Sequence, residues 1–96
     1  MEYLVVYDVD TTTPAGERRL RQVAKVCEGY GLRVQKSVFE MTCMPAQLPR
    51  LRQTLTDIID KTRDNVRLYR LQEGTLNSVE RLGIAELAPH RGDHIL

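Results

Sequence analysis

Residues 32–43 read LRVQKSVFEMTC, and the interpretation of this segment decides the order of the elements in the fold. Its β-branched and aromatic residues are typical of a strand. At twelve residues it is long for one strand, since most strands have about 3–10 residues. We therefore predict two strands, at 32–36 and 38–43, with a turn at Lys36 and Ser37.

A strand and a helix precede this segment. Residues 3–7 are a β-branched and aromatic run that ends at Asp8, which predicts a buried central strand. Thr13 can cap a helix that begins at Pro14, because threonine accepts a free amide of the first turn and proline suits the first helical position. The apolar residues that follow have the spacing of an amphipathic helix: Leu20, Val23, Ala24, Cys27 and Tyr30.

A second helix and two strands follow residues 32–43. The helix is predicted to begin at Pro45, a strand at 65–71 follows it, and a further short strand is predicted at 79–84. The order β-α-β-β-α-β predicts an α+β ferredoxin-like sandwich, with two helices on one face of an antiparallel sheet. We expect a chain this small to cover the open sheet face by dimerising.

The sequence predicts one domain and a short tail. The ferredoxin-like domain is expected to span residues 1–84, with residues 85–96 as a C-terminal tail. Pro89 and Gly92 interrupt regular structure in this tail, so we expect a partner or the second protomer to order it. It either folds back or adds a strand to the partner's sheet.

Composition excludes several classes of protein. The 96-residue chain is 42% hydrophobic, yet its longest apolar run, residues 3–7, is far shorter than the ~20 residues of a membrane span. Its first residues do not resemble a secretion signal, and two cysteines cannot form the disulfide framework of a small secreted protein. We therefore expect a cytoplasmic protein with no membrane partner.

The basic residues are clustered and are mostly arginines. Residues 18–36 contain six basic side chains and one acid, Glu28. A guanidinium can bind a phosphate through two parallel hydrogen bonds, which an ammonium cannot. A solvated helix face is the other explanation, so this composition permits a phosphate-rich partner without requiring one.

Four segments together carry a resemblance to one family. Their sequences are YDV at 7–9, RRLR at 18–21, YGLRVQKSVFE at 30–40 and DNVRLYRL at 64–71. In this combination the chain resembles the second CRISPR-associated protein family, Cas2, from about residue 3 to residue 84. Members of that family are small adaptation proteins and endonucleases that accompany the CRISPR integrase.

The resemblance implies a catalytic metal site at Asp8. It implies a ferredoxin-like homodimer in which the two Asp8 carboxylates ligate one Mg²⁺ or Mn²⁺ ion, and an endonuclease acting on single-stranded RNA or double-stranded DNA. Converging carboxylates repel each other unless a cation lies between them, and oxygen ligands suit these hard ions. A turn residue or an Asx cap is the alternative explanation of Asp8.

Other residues are candidates to support that site. Tyr7 and Phe39 either line it, stack on a base or belong to the core. Asp10 precedes a threonine-rich segment, residues 11–16, where many family members have a shorter acidic loop, and it is a candidate carboxylate near the metal. Ser37, also a candidate neighbour, is expected to be a turn residue and not a nucleophile.

Five basic residues are candidates to bind nucleic acid. Arg18, Arg21 and Lys25 share the helix face opposite the apolar stripe. Arg19 lies beside that stripe, so we expect it either to reach towards Asp8 and the sheet edge or to lie along the rim of the core. Arg33 would extend the basic surface.

Two functions are compatible with these residues. The first is a Mg²⁺-dependent endonuclease that acts in CRISPR spacer acquisition. The alternative, which the resemblance also implies, is a non-catalytic dimeric scaffold that holds duplex DNA and bridges two CRISPR integrase dimers. A general RNA-binding module is disfavoured, because only 5% of the residues are aromatic and the strands lack an RNP-like pattern.

Overall fold

The computed structural model describes residues 1–85, and these form one four-stranded antiparallel sheet with two helices. The elements are β1 (Glu2–Asp8), α1 (Pro14–Glu28), β2 (Gly31–Gln35), β3 (Val38–Thr42), α2 (Leu48–Ile58) and β4 (Asn65–Leu71). Short 3₁₀ turns lie at Pro45–Gln47 and Thr75–Ser78. The strand order is β2-β3-β1-β4, which confirms the predicted ferredoxin-like α+β fold.

Local sequence signals place α1, β2, β3 and β4 where they were expected, but the second helix begins at Leu48 and not at Pro45, because residues 45–47 form a 3₁₀ turn before it. The Thr13 hydroxyl accepts a hydrogen bond from the Gly16 amide at 3.1 Å, so α1 begins at Pro14. Residues 32–43 divide as predicted, with the turn between β2 and β3 at 36–37. Gly31 begins β2 where the neighbouring strand is very close, because a Cβ at this position would collide with the Glu40 carbonyl.

Alternation along β1 separates the core from the open face. Tyr3, Val5 and Tyr7 are buried within the core, whereas Leu4 and Val6 are only partly buried. Successive side chains of a strand point to opposite faces, so residues 4, 6 and 8 share the face without helices. The inward residues pack with Phe39, Met41 and the apolar sides of both helices.

The prediction of a strand at 79–84 is wrong. The Glu2 carboxylate accepts hydrogen bonds from the amides of Gly74 at 2.8 Å and Leu76 at 2.9 Å, which fixes the turn that leaves β4. Residues 79–85 form no strand, and Leu82 and Ile84 are 90% and 93% exposed. β-branched residues cannot form a strand without an adjacent sheet edge, and within residues 1–85 no strand edge pairs with this segment.

The remaining part of the predicted tail, residues 86–96, lies outside the described residues. Neither helix within residues 1–85 has the length and hydropathy that a membrane span requires.

Candidate metal and nucleic-acid site

Asp8 is the last residue of β1, and its side chain is exposed on the open face of the sheet. Its backbone pairs with Asn65, the first residue of β4. No group within residues 1–85 forms a hydrogen bond or ion pair with the Asp8 carboxylate, so both oxygens are available to a cation. This free oxygen donor fits the ligand that Mg²⁺ and Mn²⁺ prefer.

Within residues 1–85, one copy of the chain supplies a single such carboxylate at this position. In the part of the chain that the structure describes, no three His, Cys, Asp or Glu side chains converge into a metal site. A divalent ion at Asp8 therefore needs further ligands from water, substrate or a second copy of the chain.

The turn between β2 and β3 lies at the same end of the sheet as Asp8. The Tyr7 amide donates to the Ser37 carbonyl at 3.1 Å, and the Tyr7 hydroxyl is 3.4 Å from the Lys36 carbonyl. Arg33 donates to the same Lys36 carbonyl through Nε at 3.1 Å and Nη2 at 2.7 Å. Ser37 is thus a turn residue, as expected, at the end of the sheet that carries Asp8.

The two candidate aromatics belong to the core. Tyr7 and Phe39 are 3% and 0% exposed, and their rings stack with centroids 6.2 Å apart. Burial raises the pKa of Tyr7 to about 12, so its phenol stays neutral at physiological pH. Arg33 lies over the Phe39 ring at 5.6 Å, so this arginine, predicted to bind nucleic acid, also packs on the core and holds the turn.

Asp10 and Arg19 are both engaged by a carboxylate that sequence reasoning missed. Asp64, whose side chain is fully buried, accepts from Arg19 Nε at 2.8 Å and Nη2 at 3.3 Å, and from the Asp10 amide at 3.0 Å. The Asp60 amide adds a fourth hydrogen bond at 2.8 Å. Arg19 thus reaches the sheet edge as expected, where its carboxylate partner is Asp64 and not Asp8.

The side chain of Asp10 stabilises its own loop. Its Oδ1 accepts from the amide and hydroxyl of Thr12 at 2.9 and 2.7 Å, and its Oδ2 pairs with Arg63 at 3.2 Å. The Thr12 hydrogen bonds, aided by Arg63, hold the pKa of Asp10 below its usual value. The sequence signal for these two loops is a pair of similar segments, DTT at 10–12 and DKT at 60–62. In each, the amide and hydroxyl of the threonine donate hydrogen bonds to the aspartate two residues earlier.

Burial and hydrogen bonding oppose each other at Asp64. Burial alone would raise the pKa of this carboxyl, but hydrogen bonds from Arg19 and from the Asp60 and Asp10 amides outweigh it. The pKa of Asp64 therefore lies below its usual value, and the group is ionised at neutral pH.

The other predicted basic residues lie together on α1. Arg18, Arg21 and Lys25 are exposed, and with Gln22 they line a shallow surface groove. This groove is on the outer side of α1, opposite the buried residues Val23 and Cys27. The basic groove and the open sheet face that carries Asp8 are therefore on different sides of the molecule.

Comparisons with known proteins agree on one family. The family model described as CRISPR associated protein Cas2 matches residues 1–79. A relative from Chlorobaculum tepidum, named CRISPR-associated endoribonuclease Cas2, is 47% identical over 96 residues and covers 100% of both chains. A relative from Halalkalibacterium halodurans, named CRISPR-associated endonuclease Cas2, is 46% identical over 83 residues and covers 86% of both.

A solved structure is also similar. The crystal structure of Streptococcus pyogenes Cas2 at pH 6.5 has a TM-score of 0.77 and 51% sequence identity to this chain. The match covers 86% of this chain and 100% of that one. Sequence and fold thus lead to the same family.

Proposed function

This chain belongs to the Cas2 family, and from that premise we propose that it is a metal-dependent endonuclease of CRISPR adaptation. Two copies would pair through their open sheet faces, so that two Asp8 carboxylates share one Mg²⁺ or Mn²⁺ ion. The substrate would be a phosphodiester bond of single-stranded RNA or double-stranded DNA. The observation that supports this proposal most directly is the exposed, unpartnered Asp8 carboxylate on the open face.

The open face has the character of a surface that another copy covers. Leu4 and Val6 are only half-buried there, and Leu32 and Tyr69 are 65% and 45% exposed. Exposed apolar patches of this kind mark interaction sites on small soluble domains. A twofold axis close to the end of β1 would bury these residues and bring the two Asp8 side chains together.

Different residues of the chain would bind the metal ion and the nucleic acid. Asp8 would hold the ion, which when bound supplies Lewis-acid polarisation of a phosphoryl oxygen. Arg18, Arg21 and Lys25 would anchor the nucleic acid through its phosphates, away from the bond that is cleaved.

The substitution Asp8→Asn tests the proposal, because it keeps the size of the side chain and removes its charge. We expect cleavage of labelled RNA and DNA in Mg²⁺ or Mn²⁺ to be lost, while the dimer and its binding to duplex DNA in EDTA are retained. The control is Asp57→Asn, which neutralises an exposed carboxylate on α2. Cleavage by Asp8→Asn at the wild-type rate would rule out the nuclease site.

The separation of the basic groove from Asp8 favours a second candidate function, a dimeric DNA-binding scaffold. Arg18, Arg21 and Lys25 lie on the outer side of α1, where they can bind duplex phosphates without Asp8. Such a scaffold would bridge two CRISPR integrase dimers during spacer acquisition. Under this function Asp8→Asn leaves spacer acquisition intact, whereas Arg18→Ala with Arg21→Ala reduces it.

A further inference from the structure

The buried Asp64 carboxylate joins three chain segments that meet where β1 ends. Its Oδ1 accepts the amide of Asp10 in the loop after β1, and its Oδ2 accepts the amide of Asp60 before β4. Arg19 of α1 donates to both oxygens. Asp64 thus links α1 and both loops at one point, with its side chain fully buried.

The groups held by Asp64 lie next to Asp8 both across the sheet and along the chain. Asn65, the neighbour of Asp64 in the chain, pairs with Asp8 across β1 and β4, and Asp10 is two residues beyond Asp8. Val9 between them is buried, with 7% of its surface exposed. The backbone that carries the exposed Asp8 side chain is therefore fixed at the paired strand and at the following loop.

Arg19 has a different environment from the other basic residues of α1. Its Nε and Nη2 both face Asp64, its Nη2 is also 3.5 Å from the Asp10 carbonyl, and its side chain is 15% exposed. Arg18 and Arg21 are exposed beside the surface groove. The guanidinium fork that would grip a phosphate is thus already occupied in Arg19.

We propose that Asp64 and Arg19 are positioning residues, which fix the backbone around Asp8 so that its carboxylate is held in place before a metal ion binds. The proposal rests on the proposed function in that it takes Asp8 as the metal ligand. Under this proposal Arg19 does not bind a phosphate of the nucleic acid, although the sequence made it a candidate to do so. Partners that orient a metal ligand are worth about 10–100-fold in metal affinity or activity, and Asp64 would exert this effect through the backbone beside Asp8.

The first test needs neither metal nor activity. In hydrogen-exchange measurements on the dimer, Asp64→Asn and Arg19→Lys are expected to speed exchange of the amides of residues 8–10 by about tenfold. Arg19→Lys keeps the charge but loses the fork, and it serves if Asp64→Asn fails to fold. Leu51→Ala, a substitution in the core on α2, controls for general destabilisation and should leave the exchange of these amides unchanged. Exchange at 8–10 that matches wild type would overturn the proposal.

A second test separates positioning from phosphate binding. In EDTA, Arg19→Ala should bind duplex DNA within about twofold of wild type, whereas Arg18→Ala, which removes one phosphate contact from each protomer of the dimer, should weaken binding by about sixtyfold at about 0.1 M salt. An Arg19→Ala affinity as weak as that of Arg18→Ala would return Arg19 to the phosphate-binding set and refute its positioning role.

The third test follows Mn²⁺. Binding measured from the electron paramagnetic resonance of free Mn²⁺ should show half-saturation raised about 10–100-fold in Asp64→Asn and Arg19→Lys but not in Leu51→Ala. Cleavage should show the same shift, with unchanged KM for nucleic acid and recovery of kcat at high Mn²⁺. Unchanged half-saturation would refute the positioning role. A wild-type protein that binds Mn²⁺ without cleaving would refute the nuclease function instead, and the exchange and Mn²⁺-binding results would still decide the role of Asp64.

Discussion

The basic groove on α1 makes a quantitative prediction about salt. Arg18, Arg21 and Lys25 lie on this surface, so the proposed dimer bound to one duplex would neutralise about six phosphates. Each neutralised phosphate of B-DNA contributes about −0.9 to the slope of log affinity against log salt concentration. We therefore expect a slope of about −5 for wild type and about −2 for the double variant Arg18→Ala, Arg21→Ala.

These slopes predict a large difference over an ordinary salt range. Raising salt from about 50 to about 200 mM should weaken duplex binding by about three orders of magnitude in wild type and only about tenfold in the double variant. Fluorescence anisotropy with a labelled duplex in EDTA measures both slopes, since EDTA removes any metal-bridged contact.

A charge-matched control distinguishes the groove from net charge. Arg50→Ala with Arg52→Ala removes the same charge from exposed positions on α2. We expect this control to keep a slope near that of wild type. If both double variants reduce the slope equally, affinity follows net charge and the groove is not the binding surface.

Three further changes test the fold and its electrostatics. Phe39→Ala should lower the free energy of unfolding by about 3–5 kcal/mol in urea denaturation, because a fully buried ring leaves a cavity; a loss below about 1 kcal/mol would contradict the packing described. Gly31→Ala should cost about 1–3 kcal/mol by the same assay, since its Cβ would collide with the Glu40 carbonyl, and an unchanged unfolding midpoint would refute that contact. The folded pKa of Asp64 is lowered, so its stabilisation is present above the unfolded pKa of about 3.9 and is lost as pH falls through the folded value. Melting temperatures measured from pH 7 down to pH 3 should therefore fall less steeply in Asp64→Asn than in wild type, and parallel curves would exclude this linkage.

Elements with short-range signals could be predicted from the sequence. Strand β4 has the expected bounds at Asn65–Leu71, and α1 begins at Pro14 because Thr13 caps it locally. Residues 32–43 form two strands because of another local feature, the turn at 36–37. The position of Asp8 at the end of β1 follows from the same kind of signal.

Features that depend on distant residues could not be predicted in this way. Asp64 is 45 positions from Arg19 and 54 from Asp10, and no spacing rule connects residues so far apart. An aspartate before a strand is usually a turn residue, so nothing local marked this one as buried. The strand expected at 79–84 failed for the same reason, because strand formation requires a partner edge that propensity does not report.

The alternation of β1 makes the fold and the candidate site depend on one register. Residues 3, 5 and 7 fill the core, so Asp8 must lie on the open face, in line with Leu4 and Val6. If the pairing of β1 slipped by one residue, Asp8 would point to the face of the sheet that now carries Tyr7 and Phe39, and the buried aromatic rings would be exposed. Burying the unpaired carboxylate of Asp8 would cost free energy, so this charge disfavours the shifted register of β1 as well as being the proposed metal ligand. Asp8→Val would therefore remove the proposed metal ligand and, at the same time, one of the restraints that keep β1 in its pairing with β4.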